Sequence, residues 1–245
     1  MKIAVLSDIH GNLEALTACV ARANDQGVEA FVGLGDFVNY GADPGPTLDA
    51  LMALPGFIAV IGNHDEAMFR ETRWPRDSEV EHAAAWTRDR LSAAHLAFLR
   101  DLHYVRRAHG VAFAHAAFDF PDNWEYVVTP KQAGKCFKAV TDRLLFMGHV
   151  HVPMLFRQGA DGAVDEIGAT PGTAHRFAPG FRYLVNVGSV GQPRDENPDA
   201  CFVIYDQADA SVRFERVAYD VARAADKIRA AGLHPFYADR LARGQ

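Results

Sequence analysis

Cysteine is scarce in this chain: three among 245 residues. Three cannot form the paired framework of a small disulfide-stapled domain, so Cys19, Cys136 and Cys201 read as buried, reduced thiols. No apolar run reaches the length of a membrane span. The opening MKIAVLSDIHGN has one basic residue and a short apolar run that turns polar at once, which suits a first strand better than a signal peptide. A cytoplasmic location follows by default. Basic residues are also short in supply, 25 Lys and Arg against 31 Asp and Glu for a net charge of -6. That balance speaks against duplex nucleic acid as a partner, although a local basic pocket for a small phosphorylated molecule remains compatible with it. There is no internal repeat, linker or break in composition, so residues 1–245 are expected to form one domain.

What is present is a rhythm. Lys2–Leu6, Ala30–Leu34 and Gly56–Ile61 read as short buried strands. Each is followed by a polar cluster, and the first two clusters are followed by helical spacing, at Leu13–Asn24 and Leu48–Leu54. Ser78–Leu102 reads as the longest helical region, divisible in two with Ser92 as a cap. Val111–Ala114 and Leu144–Met147 are further strands, and Pro130–Val140 is a helix with proline in its first turn. The second half carries short strands at Pro153–Arg157, Ala163–Gly168, Tyr183–Val187, Cys201–Tyr205 and Val212–Ala218, several of them antiparallel neighbours. Asp220–Ala231 is a late helix, and Leu233–Gly244 a tail or short helix. Two packed sheets with outer helices fit this order.

The chemistry sits at the ends of the strands, the edge where open α/β sheets collect ligands. Asp8 and His10 follow the first strand, and Asp36 the second. Asn63 and His64 follow the third, His115 ends a later strand, and His149 and His151 follow Leu144–Met147. Residues two apart on an extended segment can share a side, so Asp8 with His10, and His149 with His151, can serve one ion. An isolated Asp-x-His or His-x-His is more often a turn or a surface pair. Five such clusters, each placed after an apolar strand, are not. The mix of carboxylate, imidazole and amide suits manganese, iron, zinc, nickel or cobalt, with manganese the first expectation, and it lacks the thiolates of structural zinc.

These blocks resemble the calcineurin-like metallophosphoesterase superfamily. They are Asp8-Ile9-His10, Gly35-Asp36, Gly62-Asn63-His64-Asp65, His115 and Gly148-His149-Val150-His151. Gly35–Gly41, Gly148–Pro153 and Asn186–Arg194 are similar to its small prokaryotic, phosphodiesterase-like branch. The resemblance implies a four-layer α/β/β/α sandwich of two mixed β-sheets flanked by helices. It implies two divalent or trivalent metal ions, one on Asp8, His10 and His151 and the other on Asn63, His115 and His149, with Asp36 bridging. His64 would face the phosphate, protonated, as charge stabiliser or as acid for the leaving oxygen. A hydroxide shared by the metals would attack phosphorus in line, hydrolysing phosphodiesters, phosphomonoesters or both. Dinucleoside polyphosphate or protein phosphate substrates are alternatives, and a non-catalytic metal-containing scaffold is another.

Around that core, Asp65 is expected either to orient His64 or to cap a turn. Arg194, Asn12, Asn39 and Tyr40 are candidates to touch the substrate. The aromatic stretch from Phe118 to Tyr126 reads as a self-packed surface loop or a subunit contact, with a wall for an aryl or nucleoside group as the alternative. The remaining histidines, His82, His95, His103, His109, His175 and His234, match no motif and read as ordinary surface or core residues.

Overall fold

The computed structural model describes residues 1–72 and 74–245. The chain runs β1 (Lys2–Leu6), α1 (Leu13–Asp25), β2 (Ala30–Gly33), α2 (Pro44–Met52), β3 (Ile58–Ala59) and the single turn α3 (Asn63–Glu66). Next come α4 (Glu79–Arg88), α5 (Ala93–Arg100), β4 (Val105–Ala108), β5 (Val111–Ala114), α6 (Pro130–Ala139) and β6 (Leu144–Met147). The second half adds β7 (Pro153–Gln158), β8 (Val164–Glu166), β9 (Ala174–Arg176), β10 (Arg182–Val187), β11 (Ala200–Asp206) and β12 (Ser211–Val217), then α7 (Val221–Ala230) and α8 (Pro235–Asp239).

Two mixed six-stranded sheets result, ordered β3-β2-β1-β11-β12-β9 and β4-β5-β6-β10-β7-β8. β1 is parallel to β2 and antiparallel to β11, while β10 is parallel to β6 and antiparallel to β7. Alternation along each strand divides the core into layers, because successive side chains point to opposite faces. Ile3 and Val5 of β1 join Phe113, Phe146, Val185 and Phe214 between the sheets. Ala4 and Leu6 face the other way, against Leu16 and Cys19 of α1 and Leu48 and Leu51 of α2. On the far side Ala112, Leu145 and Phe156 pack on Ala133 and Phe137 of α6. The layers are therefore helix, sheet, sheet, helix, the expected four-layer sandwich.

The helices begin where the sequence provides caps. Ser92 accepts from His95 N at 3.2 Å, so the long helical region is two helices, broken at residues 89–92. Such a cap satisfies one otherwise orphaned N–H and contributes about 1 kcal/mol. Two short strands, β4 and β9, do not stand out in the sequence. Arg106 and Arg107 of β4 are exposed and edge-placed, and His175 is the least exposed of β9's three residues, so neither segment has an apolar face to read. The third strand is shorter than its apolar run, because only Ile58 and Ala59 find partners on β2 and Val60 makes an isolated bridge to His103. All three cysteines are free and buried. Among the described residues no helix is long and apolar enough to cross a membrane.

Candidate active site

The polar clusters meet at one end of the two sheets. The β1 and β2 loops are knitted together by backbone: Ile9 N and His10 N both donate to Asp36 O, at 2.8 and 2.9 Å. Gly191 N donates to Asp8 O at 3.0 Å, and Arg194 N to His151 O at 3.1 Å, tying the loop after β10 to the same place. Two glycines allow the approach. A Cβ on Gly62 would collide with Asp36, whose Cγ lies 2.9 Å away, and one on Gly148 would strike Ser7 Oγ and lie 2.7 Å from Asp8 Oδ2.

Asp8, His10, Asp36, His149 and His151 all have left-handed backbones, with φ between 50° and 69°. Each such conformation costs on the order of 1 kcal/mol for a residue with a side chain, and strain of this kind persists where surrounding contacts over-determine it. Five strained residues converging on one point mark the place where the fold gives up stability for side-chain aim.

Three groups of donor atoms come within 4.8 Å of one another: Asp8, His10 and His151; His10, Asp36 and His64; and Asp36, His115 and His149. The hydrogen bonds sort them. His10 Nδ1 donates to Val38 O at 3.2 Å, His115 Nδ1 to Leu34 O at 2.7 Å, and His151 Nδ1 to Gln192 O at 2.6 Å. A neutral imidazole has one N–H, so each of these rings turns a bare Nε2 lone pair into the site. His149 is reversed: Nε2 donates to Trp124 O at 2.9 Å, leaving Nδ1 bare. The bare nitrogens then face one another, His10 Nε2 to His151 Nε2 at 3.3 Å and His115 Nε2 to His149 Nδ1 at 3.1 Å.

The carboxylates follow the same logic. Asp8 Oδ2 accepts from His149 N at 3.0 Å, and Asp36 Oδ1 from His64 N at 2.9 Å. The other oxygen of each is turned inward. Asp8 Oδ1 lies 3.1 Å from His151 Nε2, and Asp36 Oδ2 lies 3.2 Å from His115 Nε2 and 3.8 Å from His10 Nε2. Asp8 Oδ1 and the nearby Asn63 Oδ1 are buried with no hydrogen-bond partner. Buried acceptors packed against acceptors are unfavourable unless a cation lies between them. The donor set therefore fits two adjacent metal ions, with the imidazoles held in their liganding tautomers by backbone carbonyls.

Without a cation a proton takes that role. Burial pulls the His115 imidazole down, but the Asp36 carboxylate outweighs it and pushes the pKa up to about 9. Burial pushes Asp8 and Asp36 up, but neighbouring histidines outweigh it, His151 foremost for Asp8 and His115 for Asp36, and both stay well below the ordinary carboxylate range.

His64 differs from the other four. Its Nδ1 lies 2.9 Å from Asn39 Nδ2, and Tyr40 N donates to Asn39 Oδ1 at 2.8 Å, which fixes the amide with its N–H groups toward the ring. Nδ1 must accept, so the proton sits on Nε2, 3.9 Å from Asp36 Oδ2. Although its position groups it with His10 and Asp36, the ring presents a donor there rather than a lone pair. Burial, with help from Arg194, lowers its pKa to about 4. The Asn39 bond and the burial both favour the neutral ring over the protonated one that the sequence suggests.

Of the two readings of Asp65, the cap is the one found: its carboxylate accepts from Gly62 N at 3.1 Å at the start of α3, and from Phe37 N at 2.9 Å and Val38 N at 3.4 Å, so it clamps the Asp36 loop there. Two further sequence expectations change. Asn12 has no group free for a phosphate oxygen: Oδ1 caps α1 through Ala15 N, and Nδ2 donates to Gly191 O and Tyr219 Oη. Asn39 is spent on His64. Tyr40 and Arg194 do stand at the mouth. The Tyr40 ring lies 4.8 Å from His10, 4.6 Å from His64 and 4.7 Å from Tyr237. Arg194 Nη2 donates to Gln192 Oε1 at 2.8 Å, while its buried Nε has no partner. One neighbour escaped sequence reading: Arg240, beyond α8, whose pKa falls to about 10 through burial and the nearby Arg194. It sits in a polar tail with no motif, and only folding brings it here.

Comparisons with known proteins agree with this architecture. Residues 1–210 match the model of the calcineurin-like phosphoesterase superfamily domain. An uncharacterized protein of Methanocaldococcus jannaschii is 32% identical over 248 residues, covering 99% of this chain and 98% of that protein. The crystal structure of a metallophosphoesterase from Sphaerobacter thermophilus superposes with a TM-score of 0.89 at 34% identity, covering 100% of this chain and 99% of that one. A hypothetical protein from Pyrococcus horikoshii shares the fold at 19% identity and a TM-score of 0.77, over 100% and 98% of the two chains.

Proposed function

The chain belongs to the calcineurin-like phosphoesterase superfamily, and from that premise we propose that it is a dinuclear metal-dependent hydrolase of phosphodiesters, phosphomonoesters or both. Asp8, His10 and His151 would hold one cation, Asn63, His115 and His149 the other, and Asp36 would serve both. Bound there, two cations neutralise phosphate charge and acidify a water between them. The observation that carries the reading is the division among the histidines: four turn bare nitrogens inward, and His64 alone turns an N–H inward.

In this reading the reaction makes one bond from water oxygen to phosphorus and breaks one from phosphorus to the leaving oxygen. His64 Nε2–H acts as a neutral donor, bonding the phosphoryl oxygens or the departing oxygen as negative charge builds there. Asn39 sets its tautomer, and Asp65 holds the loop that carries Asp36. Arg194 supplies a guanidinium fork for a phosphate oxygen, and its unpartnered Nε is free for that role. Among the described residues no serine or cysteine with an adjacent base lies in the cluster, so no covalent enzyme intermediate is invoked. Manganese is the first metal to try, with iron, zinc, nickel and cobalt beside it.

The test is hydrolysis of bis-p-nitrophenyl phosphate and p-nitrophenyl phosphate by chelator-stripped protein with each metal restored in turn. Restored turnover, lost with its metal in Asp36→Asn and lost without its metal in His64→Ala, supports the reading. Two tightly bound metals with no turnover of either ester would sink it.

A further inference from the structure

A cavity of about 460 Å³ opens from the cluster on the side of Asn63 and His149. That volume is in the range of small-molecule sites. Four aromatic rings from three separate segments wall it: Trp74, Tyr104, Trp124 and Tyr126. Two of them rest on site histidines. Tyr126 stacks on His149 with ring centres 4.4 Å apart and planes 12° from parallel, and Trp74 lies 4.8 Å from His64. Tyr126 is half exposed, so its outer face is open. Trp124 has a left-handed backbone, φ 59°, a costly conformation for a bulky residue. That conformation places its carbonyl on His149 and its indole 5.8 Å from His115.

The charges of the lining narrow the ligand. Glu66, Glu71 and Asp122 stand against Arg70. Arg70 is already engaged, donating to Glu66 Oε1 at 2.6 Å and to Tyr104 Oη at 2.7 Å. This acidic lining suits a flat group without negative charge and disfavours a polyphosphate extension on this side. Trp74 packs on His64, the one ring that points an N–H into the site, so the cavity lies on the side toward which a leaving oxygen hydrogen-bonded by His64 would depart.

We propose that this cavity receives an uncharged aromatic leaving group of the phosphoester, such as a nucleoside. The proposal rests on the phosphoesterase reading for the word "leaving", but binding can be tested without turnover. Two of the three tryptophans, Trp74 and Trp124, line the cavity, and the third, Trp86, does not. Titration with adenosine, with ribose as control, should quench tryptophan fluorescence saturably with or without metal, and ribose should not. Trp86→Phe should keep the quench. Tyr126→Ala, an exposed position where folding is safe, and Trp74→Ala should each weaken adenosine binding about five-fold or more, given the strength of base stacking. Absence of saturable quenching by millimolar adenosine, or equal affinity in Tyr126→Ala and wild type, overturns the proposal. If metal-dependent ester hydrolysis persists in that case, the cavity assignment alone has failed. If adenosine binds but no ester is hydrolysed with any metal, the hydrolase reading has failed and the aromatic site stands.

Discussion

The side-chain amide of Asn39 donates to Nδ1 of His64 at 2.9 Å, and Tyr40 N–H keeps that amide from turning over. One neutral residue thus decides which nitrogen of His64 bears the proton, and it opposes the doubly protonated ring. Replacing Asn39 by Asp exchanges the donor for an acceptor. His64 would then be drawn toward the imidazolium or the opposite tautomer. The expected outcome is a fall in kcat of about ten-fold or more, in line with the weight of general acid–base groups, with metal content unchanged. Metal analysis beside kinetics checks it. Loss of metal equal to the loss of rate would mean that Asn39 holds the cradle and not the histidine.

Metal should stabilise the fold, since it relieves the acceptor–acceptor contact between His10 and His151 and gives the unpartnered Asp8 Oδ1 and Asn63 Oδ1 a cation. Chelation should lower Tm, and readdition should restore it. Asp36→Asn should unfold below the chelated wild-type temperature, because buried His115 loses the carboxylate paired with it, and should gain little from added manganese. Thermal melts with and without metal decide this. An equal metal-induced rise in both proteins would remove Asp36 from the ligand set.

The chelated protein should lose stability on the acid side. Burial holds His64 down at about 4, and burial with His115 holds His149 down at about 3. The unfolded chain binds protons at these residues near the ordinary value of 6.5, so it holds more protons than the native state below that pH. Their contribution is complete above about 6.5 and is lost as pH falls through that value toward 4 and then 3. His115 has the opposite sign: with its pKa at about 9, its contribution is present below 6.5 and is lost as pH rises through 9. Melts across pH on chelated wild type and His64→Gln test this. The variant should show a shallower decline between pH 6.5 and 4, and an unchanged slope would contradict it.

Gly62→Ala should damage the site more than its one added methyl suggests. The new Cβ would press on Asp36 at the atom that places the inward oxygen. Overpacking of this kind costs about 1–3 kcal/mol, and here it should also weaken metal retention. Gly134→Ala, whose Cβ would meet nothing nearer than 3.7 Å, is the control on helix α6. Denaturant melts and metal analysis should separate the two.

Arg194 contacts substrate in this reading, and Arg240 shares its surroundings while its Nε donates to Gln245 O. Arg194→Gln should raise KM for phosphomonoesters about ten-fold, with a smaller change in kcat, as expected where an interaction serves ground and transition states alike. Arg240→Gln should do less. Steady-state kinetics on both variants would show it, and an unchanged KM in Arg194→Gln would place that guanidinium outside the substrate site.

The sequence by itself determined the strand–loop–helix order and the donor residues at the strand ends. Both depend on local signals: alternation of side chains along a strand, and residue types able to bind a metal. Hence Asp8, His10, Asp36, Asn63, His115, His149 and His151 could be named before folding, and each stands at the cluster or beside it. What each ring does there was decided only by tertiary structure. The tautomers are set by the carbonyls of Leu34, Val38, Trp124 and Gln192, and a carbonyl is the same atom pair in every residue, so no letter of the sequence announces it. Asn12, Asn39 and Asp65 look like free polar groups in a string of letters. Folding gives them nearer partners, and a buried polar group takes the partner within reach. The aromatic cavity gathers Trp74, Tyr104, Trp124 and Tyr126 from segments far apart in the chain, a convergence of long-range packing that no local pattern encodes.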